Sequence, residues 1–274
     1  MTKLMMTTSH GGALRAPAQP DWSRPAHEEF LGLSFCPLSQ PQVARLIIET
    51  ARGPYRYVVT PNAYHVAAAH DEPERLLPLY RGAWMSLCDS RIVRGLAALT
   101  GRSLPLVTGS DLVPMLLAEL DARPAAADAR RVLVVGPDRG TELALRAHYR
   151  CLNIQILPAP SGLGESADLR LAVAHACVNR RWDILLLCVG CPAQELIARL
   201  IAQLGRPSGI ALCVGASIDF LTGRQTRAPL WLQKLSLEWA YRLALEPRRL
   251  WRRYLIESPK ILRIFFATRQ ARRR

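Results

Sequence analysis

The sequence predicts an α/β fold: Rossmann-like, with buried parallel strands flanked by helices and a basic helical appendage at the C-terminus. Two observations carry the core of that expectation. Short, almost continuously apolar runs recur along the chain, as strands covered on both faces require. Between them lie stretches with apolar residues at helical spacing, and this alternation is the pattern of βα units.

Residues 1–28 are rich in Pro, Ala, Ser and polar residues without periodicity and read as a flexible arm. QVARLIIETA (42–51) predicts a helix and YRYVVTP (55–61) the first core strand. A helix from Ala63 to His70 follows, then the strand AWMSLCD (83–89). RIVRGLAALTG (91–101) and SDLVPMLLAELDA (110–122) are helical, and DARPAAADAR (121–130) reads as a linker between two βα halves. Four more strands are expected at RVLVVGP (131–137), NIQILP (153–158), WDILLLCVG (182–190) and GIALCVG (209–215). The helices between them are RGTELALRAHYR, ADLRLAVAHACVN and PAQELIARLIAQL. The expected division is an arm over 1–28, an α/β core over 29–222 and the appendage over 223–274.

Half of the 274 residues are hydrophobic, which excludes general disorder. No apolar run approaches the roughly 18–20 residues that span a bilayer. MTKLMMTTSHGG lacks a continuous apolar core, so no cleaved signal peptide is expected. The chain is expected in the cytosol or on the cytosolic face of a membrane. Seven cysteines, mostly inside apolar runs, read as reduced buried thiols. Cys188 and Cys191 form a CxxC that lacks a second pair, so a zinc or redox site there has weak support.

The formal charge is +14 and unevenly spread. Residues 247–274 hold nine Arg and one Lys against one Glu, a net charge of +9. That end of the chain is built to meet an anionic partner.

Ligands of open parallel sheets bind outside the carboxyl ends of the strands. Four such ends stand out. After the first, Thr60 and Asn62 serve as helix cap or ligand contact. After the second, Asp89 is a carboxylate at the end of an apolar strand, where partial desolvation suits it to accept a proton; capping the helix from Arg91 is the alternative. Ser110 and Asp111 follow the tight turn at Gly109, with capping as the default role. VVGPDRG places Gly136 in a glycine-containing strand-to-helix turn, but GxGxxG is absent and a dinucleotide site is weakly supported. CVGCPAQEL is the most distinctive: Gly190 permits close approach, and Gln194 and Glu195 sit in the first helical turn, where free N–H groups can hold phosphate. No DxD is present, so a diphosphate would be neutralised by arginines and helix N-termini.

In the C-terminal run LEWAYRLALEPRRLWRRYL, helical spacing puts Leu237, Ala240, Tyr241, Ala244 and Leu245 on one face. Pro247 ends or kinks that helix. Beyond it, Leu250, Trp251, Tyr254 and Leu255 form one side, opposite Arg248, Arg249, Arg252 and Arg253. A basic amphipathic helix with interfacial rings fits an anionic membrane surface, at about 1 kcal/mol per Arg near the surface. An ordinary solvated basic face is the plainer reading.

TPNAYHV, CDS, VTGSDL and GCPAQE, followed by VGASIDFLTGRQTRAPLWLQKLSLEWAYRLALEPRRLWRRYL, resemble in this order the WecG/TagA/CpsF family of glycosyltransferases. The resemblance runs over residues 33–256 and is most specific in its C-terminal part. It implies an inverting, metal-independent transfer of a sugar from a UDP-sugar to a polyprenyl-diphosphate-linked saccharide, as in bacterial surface or exopolysaccharide synthesis. It implies Asp89 as general base, Thr60 and Asn62 at the acceptor and sugar region, and Gly190, Gln194 and Glu195 at the donor. Arg227, Arg242 and Arg249 are the arginines expected to fold over the site and pair with the UDP diphosphate. The implied partners are the UDP-sugar, the lipid-linked acceptor and an anionic membrane surface reached through the appendage, with no metal cofactor.

Three positions depart from the family pattern: Ser90 for glycine, Ala193 for lysine, and Leu106 for an arginine whose place Arg91 or Arg94 could take. A non-catalytic relative that scaffolds at a membrane is the alternative. Nucleic acid is not expected as a partner, because no RNA-binding motif accompanies the basic tail.

Overall fold

In the computed structural model, which describes residues 23–122 and 130–271, the six apolar runs become one six-stranded sheet. An antiparallel hairpin precedes it, β1 (Glu28–Phe30) and β2 (Leu33–Phe35), turning at Leu31 and Gly32 with positive φ at both. The chain then runs through α1 (Gln40–Thr50), β3 (Arg56–Val59), α2 (Ala63–Asp71), α3 (Pro73–Arg81), β4 (Met85–Ser86), α4 (Arg91–Ala98) and α5 (Gly109–Asp121). It continues as β5 (Arg131–Gly136), α6 (Arg139–His148), β6 (Asn153–Pro158), α7 (Ala167–Val178), β7 (Ile184–Leu187), α8 (Ala193–Gln203), β8 (Ile210–Cys213) and α9 (Ser217–Leu221). Most of the expected arm and linker lies outside the described residues.

The strand order is β4-β3-β8-β7-β5-β6, and every pair is parallel. Period-two alternation divides the side chains between two cores. Tyr57, Val59, Leu133, Val135, Leu185, Leu187, Ala211 and Cys213 enter one, with α2, α3, α7 and α8. Val58, Val132, Val134, Ile184, Leu186, Ile210 and Leu212 enter the other, with α1 and α5. Burial on both faces is why the strands read as unbroken apolar runs. All seven cysteines are free, and Cys188 and Cys191 are only half-buried.

The C-terminal part folds as α10 (Leu230–Lys234), α11 (Glu238–Leu245), α12 (Pro247–Trp251), a π-helical segment (Arg252–Glu257) and α13 (Lys260–Ala271). Its faces differ from those drawn on an ideal helix. No residue of α11 is fully buried, and Leu245 is exposed. In the next stretch Leu250 is buried while Trp251 and Leu255 face outward. The wider π turn and Pro259 rotate the following residues away from α-helical register. Ile261 and Phe265 of α13 then join the main core, with Phe265 packed at 6.5 Å from Phe30.

Candidate active site

The carboxyl ends of β3, β4, β7 and β8 open into a cavity of about 670 Å³, roofed by the C-terminal helices. Thr60, Asn62, Asp89, Ser110, Asp111, Gly190, Gln194, Arg227, Arg242 and Arg249 all line it. Glu195 and Gly136 are the two expected site residues that do not.

Asp89 is the most telling residue. It does not cap α4: that role belongs to Ser90, whose side chain accepts from the Val93 N–H at 3.2 Å. The carboxylate is left at the cavity wall with one protein donor among the described residues, the Gly109 N–H at 3.4 Å from Oδ2. Burial pushes its pKa up to about 7; the Gly109 bond opposes this, and the negative charges of Glu238 and Asp111 add to it. Gly109 is needed for close approach, since a Cβ there would meet Ser217 Oγ at 2.8 Å and the Val214 carbonyl at 3.0 Å.

Around Asp89 the motifs converge. Thr60 Oγ1 donates to the Cys213 carbonyl at 2.8 Å, tying β3 to β8. Asn62 caps α2 by accepting from the Tyr64 and His65 N–H groups, and it also lines the cavity. Thr108, not Ser110 or Asp111, caps α5. Asp111 instead receives Arg227 Nη1 at 2.5 Å and Thr108 Oγ1 at 2.8 Å, and these bonds hold its carboxyl below the usual range against its burial. Arg242 lies over the Phe220 ring at 5.3 Å, and Arg249 pairs with Glu246. Arg91 and Leu106 both line the cavity, whereas Arg94 is exposed and does not.

Gln194 and Glu195 are both buried, and only Gln194 reaches the cavity. Gln194 Nε2 donates to Glu195 Oε1 at 2.9 Å, and its Oε1 accepts from the Gly215 N–H at 3.0 Å. Glu195 therefore fixes which way the Gln194 amide points. Burial raises the Glu195 carboxyl to about 7.

His65, Cys191 and Glu195 place three potential metal ligands within 4.8 Å of one another. The tautomer argues against a metal. His65 Nδ1 accepts the Asn62 N–H at 2.9 Å, so the neutral ring carries its proton on Nε2, facing Glu195 Oε1 at 3.9 Å. Burial holds this histidine neutral, with a pKa lowered to about 3. Ligating His normally donates its second nitrogen rather than accepting there. Within the trio, Glu195 is better described as a brace for Gln194, to which it is hydrogen-bonded at 2.9 Å, while His65 packs beside it. Glu195→Ala is expected to release Gln194 and lower kcat/KM by roughly 10- to 100-fold. Glu195→Gln, which keeps an acceptor oxygen, should recover most of it; equal losses in both variants by steady-state kinetics would contradict the brace.

Gly136 is a packing residue. Its φ is +129°, and a Cβ would lie 2.7 Å from the Cys188 carbonyl. The adjoining turn is clasped by Arg224, which pairs with Asp138 at 2.7 Å and donates to Thr141 Oγ1. The residue that sequence reasoning missed is Arg253, which lines the cavity with its guanidinium 4.6 Å above the Tyr64 ring. Its only sequence signal was membership of an arginine-rich run. Residues 28–274 match the profile of the Glycosyl transferase WecG/TagA/CpsF family, nearly the whole chain.

Proposed function

The chain belongs to the WecG/TagA/CpsF glycosyltransferase family, and from that premise we propose that it moves a sugar from a UDP-sugar to a polyprenyl-diphosphate-linked saccharide with inversion. The observation that carries this reading is Asp89: a carboxylate with a pKa near 7, free of any capping role, open to a cavity walled by arginines. The acceptor hydroxyl gives its proton to Asp89 while its oxygen attacks the anomeric carbon from the face opposite UDP. The bond to the UDP oxygen breaks, and UDP leaves with the electron pair. Arg227, Arg242 and Arg249 neutralise the charge that develops on the diphosphate. Arg91, which also lines the cavity, is assigned the place of the arginine that Leu106 replaces.

With guanidinium groups in this role, turnover needs no divalent cation, and dialysis against EDTA should leave the rate unchanged. Among the described residues, no helix is long and apolar enough to cross a membrane. Docking to the cytoplasmic face of the bacterial inner membrane is assigned to the basic, ring-bearing appendage. The reading is tested by incubating the protein with a panel of UDP-sugars and a short-chain prenyl-diphosphate-saccharide, followed by mass spectrometry. One mass increment equal to a single transferred sugar residue is expected on the acceptor for one donor. UDP binding without any product would favour the alternative of a non-catalytic scaffold.

A further inference from the structure

We propose that Arg253 is the centre of a second anion subsite in this cavity, which takes the diphosphate of the lipid-linked acceptor. This rests on the glycosyl-transfer reading above.

Several arginines line the cavity. Arg227 and Arg249 each already have a carboxylate partner, Asp111 and Glu246. Arg253 lies beside Tyr64 and close enough to His65, Cys191 and Glu195 to act on their charges. Among the described residues Arg253 makes no ion pair, and its Nε is buried without a hydrogen-bond partner. Its neighbour Arg252 is exposed and pairs with Glu257 at 3.4 Å. Arg253 as a whole is half-buried, and a buried N–H with no acceptor, which Arg227 Nε shares, is costly unless something arrives to accept from it.

The transfer brings two diphosphates into one cavity, and they repel unless each is neutralised separately. The surroundings of Arg253 say which one it serves. Past it the wall turns apolar at Leu255, Pro259 and Leu262, which line the cavity. Ile256 and Phe266, of the same C-terminal segment, are exposed and add apolar surface outside the cavity. A diphosphate joined to a hydrocarbon chain needs a cation followed by an apolar strip, in that order. UDP does not, because its far end is a polar nucleoside.

The test is calorimetric titration of the full chain with two probes, farnesyl diphosphate and UDP. Arg253→Ala should weaken farnesyl diphosphate by about tenfold or more while leaving UDP within about twofold. Arg253→Lys, which keeps charge but loses the planar fork, should fall between. Arg252→Ala should change neither. Retained UDP binding also reports that the variant is folded. An equal loss for both probes, or an equal effect of Arg252→Ala, would overturn the assignment, as would a wild-type protein that does not bind farnesyl diphosphate. Binding of farnesyl diphosphate lost only in Arg253→Ala, without UDP binding or turnover, would leave the subsite standing and remove the transfer reading instead.

Discussion

Asp89→Asn is expected to reduce kcat by about 10³-fold or more while UDP affinity stays within about twofold. General-base catalysis alone contributes roughly 10²–10⁴-fold, and the amide keeps the shape of the carboxyl without its basicity. The wild-type rate should rise with pH through about 7, because the base works only when ionised and burial holds its pKa there. The variant should lose that acidic limb. Stability should move the other way. A carboxyl whose pKa is raised on folding contributes stability that is complete below its unfolded value, about 3.9, and lost as pH rises through about 7. Asp89→Asn removes that loss, so the variant should melt several degrees higher than wild type at pH 8 and at nearly the same temperature at pH 4. Unchanged turnover in Asp89→Asn would remove it as the base. A variant less stable than wild type at pH 8 would show that the carboxylate is held by contacts beyond the Gly109 N–H.

How far the sequence could be read follows from which interactions are local. The core strands were legible because a strand buried on both faces must be apolar at every position, and ILLL and IALC satisfy that without reference to anything else. The hairpin at β1 and β2 was not, because each strand has only three residues and Leu31 adopts positive φ without being glycine. Asp89 was legible from its place at a strand end, but the rival role of helix cap was excluded only by seeing Ser90 take it. Glu195 looked like a ligand contact because it sits in a first helical turn. It is instead buried behind Gln194, hydrogen-bonded to that side chain and packed beside His65, a residue on another strand's connection. Gly136 resembled a phosphate-binding turn, whereas the pressure on it comes from the Cys188 carbonyl of a neighbouring strand end. The cavity-facing role of Arg253 depends on a π turn that a regular helical projection cannot anticipate.

Trp251, Ile256 and Phe266 changed together to Ser should abolish sedimentation with anionic vesicles, a loss of about 10²-fold or more in partitioning. All three are exposed and none lines the cavity, Phe266 being 64% exposed. Turnover of a short, water-soluble acceptor should persist, while turnover of an acceptor embedded in vesicles should fall with the loss of docking. Removing the whole appendage is a poorer experiment. Leu250, Ile261 and Phe265 are buried, so a cut after Leu245 would strip large side chains from the protein's own packing. Each such loss costs roughly 1.5–3 kcal/mol of burial, and an inactive truncated chain would report unfolding as readily as undocking. The appendage thus has buried apolar residues that hold it to the domain and exposed ones that face outward. Its basic side chains add a screened attraction, so wild-type sedimentation should weaken as salt rises from about 0.1 M to 1 M and the Debye length shrinks from about 10 Å to 3 Å. If the triple variant sediments as wild type does, the outward surface is not a membrane-docking face, and the lipid acceptor must reach Arg253 by another route.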